Sequence, residues 1–253
     1  MPAPESHIDS DATLAEVRQE LVELQREHAL LLKQQEMLLH CMSHDLRTPA
    51  MTILGFADLL LTDSGNAVDT HSTRQYLEHV RNSANRQVTM IGALIKLSSL
   101  NHKDLEQTPV NLTSVALTCL RKRTDAPNLA GTQLDFQTTP EAYGDAELLH
   151  QLMEVLLDNA IKFTRKISAP AIRFGAEGDA AAPVYFLQDN GAGLNMERQD
   201  RLFKPFSRVH SSKDFEGIGM GLATAQLIVQ RHGGRIWVES QPDHGSIFRF
   251  TLR

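Results

Sequence analysis

Between Leu14 and Met42 apolar residues return in heptad steps, at Leu14, Val17, Leu21, Leu24, Leu31, Leu38 and Met42, with His28 and Gln35 falling on the same seam. That rhythm predicts a coiled-coil lead-in whose polar seam residues fix register and strand number. The helical pattern runs on through Ser43-His44-Asp45-Leu46-Arg47-Thr48-Pro49 to about Leu61, where Thr62-Asp63-Ser64-Gly65-Asn66 breaks it. A second helix follows, with a stripe of Leu77, Val80, Ala84, Val88, Ile91 and Ile95. A lone helical hairpin cannot bury two such stripes, so two copies are expected to form a four-helix bundle, and the chain to be a homodimer.

From Asn101 to Asn111 polarity rises and Pro109 appears, which reads as a hinge or linker. Beyond it a helix is predicted near Leu112 to Arg123, with longer ones at about Asp145 to Thr164 and Leu222 to His232. Strand-like runs fall at Gln133-Leu134-Asp135-Phe136, Ala171-Ile172-Arg173-Phe174, Val184-Tyr185-Phe186-Leu187, Arg235-Ile236-Trp237-Val238 and Ile247-Phe248-Arg249-Phe250. The fold class expected is α+β: an N-terminal coiled coil and helical hairpin, then a sandwich with one sheet covered by helices. The boundaries this suggests are 1–40 for a tail and coiled coil, 41–103 for the hairpin and 110–253 for the sandwich.

Composition narrows the function classes. A formal charge of −6 and a pI near 6.0 leave no basic stripe for phosphate backbones, so nucleic acid is a poor partner. No run of about 18 apolar residues occurs, which argues against membrane insertion, and Met1 to Ser10 has no charged region followed by an apolar one. A soluble, cytoplasmic protein is expected. Cys41 and Cys119 are too few and too separated for a disulfide framework. Cys41 stands one helical turn before His44, but with no second ligand pair a small core residue is the better account than a zinc ligand.

The residues that suit chemistry lie in five short stretches. His44 and Thr48 share a helix face, and Asp45 stands where it can orient or deprotonate the imidazole; Pro49 removes a backbone donor and bends a helix beside that nucleophile. In Asp158-Asn159-Ala160-Ile161-Lys162-Phe163-Thr164, Asn159 and Lys162 are three apart on a helix, so an oxygen donor for a magnesium ion and an ammonium for phosphate can reach one cleft. Asp189 ends an apolar strand before a turn with Gly191 and Gly193, where its carboxylate can accept a hydrogen bond from an amino group. Gly217, Gly219 and Gly221 lead into a helix, so bare amides and a helix N-terminus can cradle a triphosphate. A polar loop rather than a strand precedes these glycines, which excludes a dinucleotide fingerprint; no Gly-Lys-Ser/Thr ending exists for a Walker loop. Between Asn195 and Glu216 come Phe203, Lys204, Phe206 and Arg208, the last a guanidinium able either to neutralise a transferring phosphoryl group or to form a surface ion pair.

Taken in chain order, the stretches resemble the phosphoacceptor, N, G1, F and G2 boxes of the two-component sensor histidine kinases, over nearly the whole chain after about residue 40. Phe206-Ser207-Arg208-Val209-His210 and Asp214-Phe215-Glu216-Gly217 look most like the phytochrome-like branch. The resemblance implies the ATPase fold of histidine kinases, Hsp90-type chaperones and type II topoisomerases for 110–253, with ATP and Mg2+ as ligands. It implies that Asn159 binds magnesium, Lys162 contacts phosphate and Asp189 reads adenine. It departs at Val155, where the family usually has a polar group that helps hold the metal; Glu154 is adjacent but points about 100° away on an ideal helix.

The expected activity is ATP-dependent autophosphorylation of His44, with Asp45 as general base, followed by transfer to an aspartate of a response-regulator receiver domain. Thr48, with His44 and Asp45, is also implied in hydrolysing the regulator's phosphoaspartate. Two alternatives stay open: a degenerate kinase acting as a dimeric scaffold or phosphatase, and another enzyme of the same ATPase fold. A separate sensor protein is a further possible partner.

Overall fold

A computed structural model describes residues 21–22, 46–61, 70–102, 104–123, 129, 131–207 and 217–253. The chain divides into two compact units, Met1–Thr48 and Pro49–Arg253. In the first, Leu21 and Val22 are helical and exposed. The rest of the heptad seam, His44 and Asp45, the break at 62–66, and Arg208 to Glu216 lie outside the described residues.

The second unit takes up the helical run α1 (residues 46–61) from Pro49 onward and continues in α2 (Thr70–His102). Phe56 of α1 stacks on His79 at 4.6 Å and meets Tyr76 at 5.6 Å, which holds the two helices side by side. Met90 and Leu100 are the buried apolar positions of α2. The stripe expected to be apolar and partner-facing behaves differently along its length: Val80 and Ala84 are half-buried, whereas Leu77, Val88, Ile91 and Ile95 are exposed, Val88 at 70% and Ile95 at 65%. Two faces are therefore apolar, one used inside the hairpin and one left open, as are Met51, Leu54, Leu59 and Leu61 of α1.

The segment read as a linker is partly a strand. Thr108–Val110 (β1) pairs antiparallel with Ala142–Gly144 (β3), with Pro109 opposite Tyr143. A proline is compatible with a two-stranded ladder because each strand keeps a free edge, and Val110 buries its side chain in the core. Asn111 then caps α3 (Leu112–Arg121), its side chain accepting from the Ser114 N–H at 2.9 Å.

A five-stranded sheet follows in the order β2 (Gln133–Phe136), β4 (Ala171–Glu177), β5 (Val184–Asp189), β7 (Ser246–Phe250), β6 (Ile236–Ser240). Only β2 and β4 run parallel; the other neighbours are antiparallel. All five expected strands are present in it, which makes the fold the expected α+β layer. α4 (Ala146–Thr164) buries Leu148, Leu149, Leu152, Met153, Leu156, Leu157, Ala160 and Ile161. These pairs, repeating every four residues, form a stripe wide enough to cover a sheet, and they share one core with Ile172, Phe174, Leu187, Phe248 and Phe250.

The start of α4 is fixed from two sides. Asp145 Oδ1 accepts from the N–H groups of Glu147 and Leu148, both at 3.0 Å. Its own N–H donates to Nε2 of the buried His232 at 3.0 Å, while His232 Nδ1 lies 2.7 Å from the Ile228 carbonyl in α6 (Gly221–Arg231). This ring ties α4 to α6, the two helices that flank the cleft described next. Arg231 of α6 in turn donates to the Leu100 carbonyl at the end of α2.

Candidate nucleotide-binding site

α4 ends its buried stripe with polar residues on the adjacent face. Asn159 and Lys162 come to the same cleft as Gly217, Gly219 and Gly221, together with Phe163, Leu194, Leu202, Ser207, Met220, Ser246 and Phe248, around a space of about 180 Å³. The Asn159 amide makes no hydrogen bond among the described residues, so its oxygen is free for a ligand. Lys162 Nζ rests 4.6 Å above the Phe163 ring and 3.6 Å from the position a Cβ on Gly217 would take. The ammonium thus already lies against the glycine loop, as three-residue helical spacing suggests.

The loop needs its glycines. Gly219 has φ +79, and a Cβ there would stand 2.5 Å from the Ser207 carbonyl oxygen. Phe206, at φ 61, is one of two non-glycine residues in the left-handed region among those described, so backbone strain also gathers on this rim. Gly221 opens α6 behind Met220, which supplies no side-chain cap; the amides of the first turn are therefore not met by a capping side chain, and the helix dipole points at the cleft.

Asp189 ends β5 behind the cleft, only 3% exposed. Its Oδ1 accepts from the Gly191 N–H at 2.8 Å, and its register partner on β7 is Ser246, a cleft residue. Burial pushes its carboxyl up from 3.8 to about 6, against the lowering pull of the Gly191 and Ser246 N–H groups. Gly191 is in close contact with the Phe163 carbonyl, where a Cβ would lie at 2.6 Å, and Gly193 turns the chain beneath Gln241. Neither Asp189, Gly191 nor Gly193 forms the cleft wall itself; they support it.

The apolar lining, Leu194, Leu202, Met220 and Phe248, was not legible as site residues. Ser246 had one signal, its place at the head of a strand that can pair with the Asp189 strand. Glu154 turns away from the cleft, as its offset on the helix implies: its carboxylate faces α3, 3.7 Å from His150 Nδ1 and 4.0 Å from Arg123 Nη2. Val155 is the residue at the glycine loop, its Cγ1 3.2 Å from where a Gly221 Cβ would be. In the F box, Phe203 packs on the core and Lys204 pairs with Asp200 at 3.6 Å. Thr48 is helical and exposed.

Comparison with known proteins accords with this geometry. Residues 144–253 match the family described as Histidine kinase-, DNA gyrase B-, and HSP90-like ATPase, and residues 34–103 match the His Kinase A (phospho-acceptor) domain. Cyanobacterial phytochrome B of Nostoc sp. is 31% identical over 83% of this chain and 28% of its own length. Adaptive-response sensory kinase SasA of Microcystis aeruginosa is 29% identical over 97% of this chain and 66% of its own. Histidine kinase ThkA, solved in complex with response regulator protein TrrA, superposes with a TM-score of 0.56 at 18% identity, covering 99% of this chain and 67% of that one, which shows the fold.

The sheet, its covering helices and the glycine-lined cleft therefore define an ATPase module of the kind shared by histidine kinases and Hsp90-like proteins. Joined to a phosphoacceptor domain, it places the chain among the two-component sensor histidine kinases, phytochrome-like relatives included. The chain spans under a third of the phytochrome's length and about two thirds of SasA's.

Proposed function

We propose that the chain is an ATP-dependent protein histidine kinase that phosphorylates itself on His44 and passes the phosphoryl group to an aspartate of a response-regulator receiver domain. The observation that supports this most is the convergence of Asn159, Lys162, the glycine loop and the α6 N-terminus on one cleft. Phosphoryl transfer depends on positioning and on neutralising charge, and these groups are of the right kind for both. Lys162 and the loop amides would hold the phosphates, Asp189 would accept from the adenine amino group, and Gly191 and Gly193 would shape the turn that presents it.

A magnesium ion fits the donor set. The uncommitted Asn159 oxygen is a hard ligand, and magnesium commonly takes only one or two protein groups beside phosphate oxygens and water. When bound it supplies charge neutralisation at the phosphates. His44 would attack as the nucleophile with Asp45 as general base, and Arg208 would offset charge on the transferring group. Thr48, with His44 and Asp45, would serve phosphatase activity on the regulator.

The open apolar faces of α1 and α2 support a homodimer, which a four-helix bundle would close. ThkA was solved with a response regulator, which supports that partner class. We assign the segments as 1–40, 41–103 and 110–253 and the protein to the cytoplasm; among the described residues no helix is long and apolar enough to cross a membrane. A second reading has its own observation: Val155 sets a methyl group where the family has a polar ligand, which suits a weak kinase acting as scaffold or phosphatase. Calorimetric titration with ATP, with and without Mg2+, tests the proposal. Saturable binding strengthened by Mg2+ supports the kinase; absence of nucleotide binding supports the scaffold.

A further inference from the structure

Away from the cleft, on the side of α4 that faces α3, three residues with metal-ligating atoms come together. Cys119 Sγ lies 3.6 Å from His150 Nε2, and His150 Nδ1 lies 3.7 Å from Glu154 Oε2. One ligand atom from each of the three can be chosen so that all lie within 4.8 Å of one another. We propose that Cys119, His150 and Glu154 form a binding site for a thiophilic divalent ion of the zinc type, with a fourth position open to water.

The distances carry the argument. With zinc–sulfur near 2.3 Å and zinc–nitrogen near 2.0–2.1 Å, a tetrahedral centre sets sulfur and nitrogen about 3.6 Å apart, and the other edges fall at about 3.4–3.6 Å. The Cys119–His150 edge already has that length. Glu154 closes the triangle by a shift of about 1 Å, which a carboxylate at the end of a flexible side chain can make. His150 and Glu154 are four apart on α4, the spacing at which two helical side chains meet.

The donor set selects the ion. One thiolate, one imidazole and one carboxylate suit zinc or cobalt, whereas magnesium and calcium take oxygen ligands. Cys119 itself is fully buried, but His150 and Glu154 keep 28% and 35% of their side-chain surface, which gives the ion a way in. Two cations face the cluster: Lys122, with Nζ at 3.5 Å from His150 Nε2, and Arg123, with Nη2 at 4.0 Å from Glu154 and Nε at 2.6 Å from Asp158. Lys122 is exposed and can swing into solvent; Arg123 stays on Asp158 and the Cys119 carbonyl. Burial, and then Glu154, raise the Cys119 thiol pKa, so binding must expel a proton from sulfur as the metal–thiolate bond forms. An ion so held would tie α3 to the helix that carries Asn159 and Lys162.

Cobalt(II) makes the site visible, because thiolate-to-cobalt charge transfer absorbs in the near ultraviolet and oxygen ligation does not. The purified, metal-free full chain is titrated with Co2+ under reducing conditions, then with Zn2+ as competitor. The expected result is a saturable charge-transfer band displaced by Zn2+. The band should be lost in Cys119→Ser, be retained in Cys41→Ser, and need at least about tenfold more Co2+ in His150→Gln and Glu154→Gln, the cost typical of losing a group around a metal. Because His150 and Glu154 are partly exposed, their variants report even if Cys119→Ser fails to fold, which circular dichroism shows. No band in the parent chain, a band that survives in folded Cys119→Ser, or one that disappears in Cys41→Ser overturns the proposal.

Discussion

Asp189→Asn separates a residue that binds nucleotide from one that merely closes a turn. In the free protein, burial raises this carboxyl from 3.8 to about 6. A rise of that size corresponds to about 3 kcal/mol at pH values above both. The native state holds the proton more tightly than the unfolded chain, so the penalty is absent below about pH 3, grows between about pH 4 and 6, and levels off above about pH 7. Asparagine removes the charge while keeping an oxygen that can accept from Gly191 and Ser246. The variant should therefore lose less stability than the parent between pH 4 and 7, by about 2.4 kcal/mol in the difference between their denaturation curves. Binding should move the other way. A hydrogen bond to a charged acceptor contributes about 1.5–3 kcal/mol, so ATP affinity at pH 8 should fall roughly 10- to 150-fold. An arriving N–H donor favours the ionised carboxylate, so parent affinity should weaken as pH drops below about 6, whereas the variant's affinity stays flat. Urea denaturation from pH 4 to 8 and calorimetry at pH 5.5 and 8 measure both. Unchanged ATP affinity at pH 8, or a pH–stability curve identical to the parent's, refutes the reasoning.

Gly219→Ala should cut nucleotide affinity at least about tenfold, because a Cβ at φ +79 meets the Ser207 carbonyl and forces the loop out of a conformation costing an L-residue about 1–2 kcal/mol; equal calorimetric affinities would contradict this. Val155→Asn should lower the Mg2+ concentration needed for half-maximal ATP binding several-fold, while costing about 1–2 kcal/mol of stability through burial of an amide beside Gly221; an unchanged Mg2+ dependence counts against that placement. Ile91→Glu with Ile95→Glu should raise the dimer dissociation constant at least about 100-fold, since each buried isoleucine contributes about 1.5–3 kcal/mol. Sedimentation equilibrium reads that change, and a parent chain that is already monomeric removes the premise.

Much of the sheet was legible because its strands carry strong local signals: β-branched and aromatic runs with turn residues at each end. The two-stranded ladder of β1 and β3 was not, since three-residue strands containing Pro109 and Gly144 look like loops until they pair. Periodicity found the apolar stripe of α2 but could not say which half faces the hairpin and which a partner; that division depends on Phe56 of α1 and on Met90, known only from packing. The cleft was legible where chemistry needs rare residues, at Asn159, Lys162 and the glycines. Its apolar wall was hidden, because Leu194 and Met220 read as ordinary core. The cluster of Cys119, His150 and Glu154 joins two helices about 30 residues apart in sequence, a contact that no local pattern announces.

The most direct test of the central claim is incubation of the purified chain with γ-labelled ATP and Mg2+ beside His44→Gln, followed by acid and base treatment of the labelled protein. Phosphohistidine is acid-labile and stable to base, whereas phosphoserine behaves in the opposite way. The account predicts label that acid removes, that base leaves, and that His44→Gln abolishes while its ATP binding persists. Label retained in His44→Gln, or label that resists acid, would contradict it.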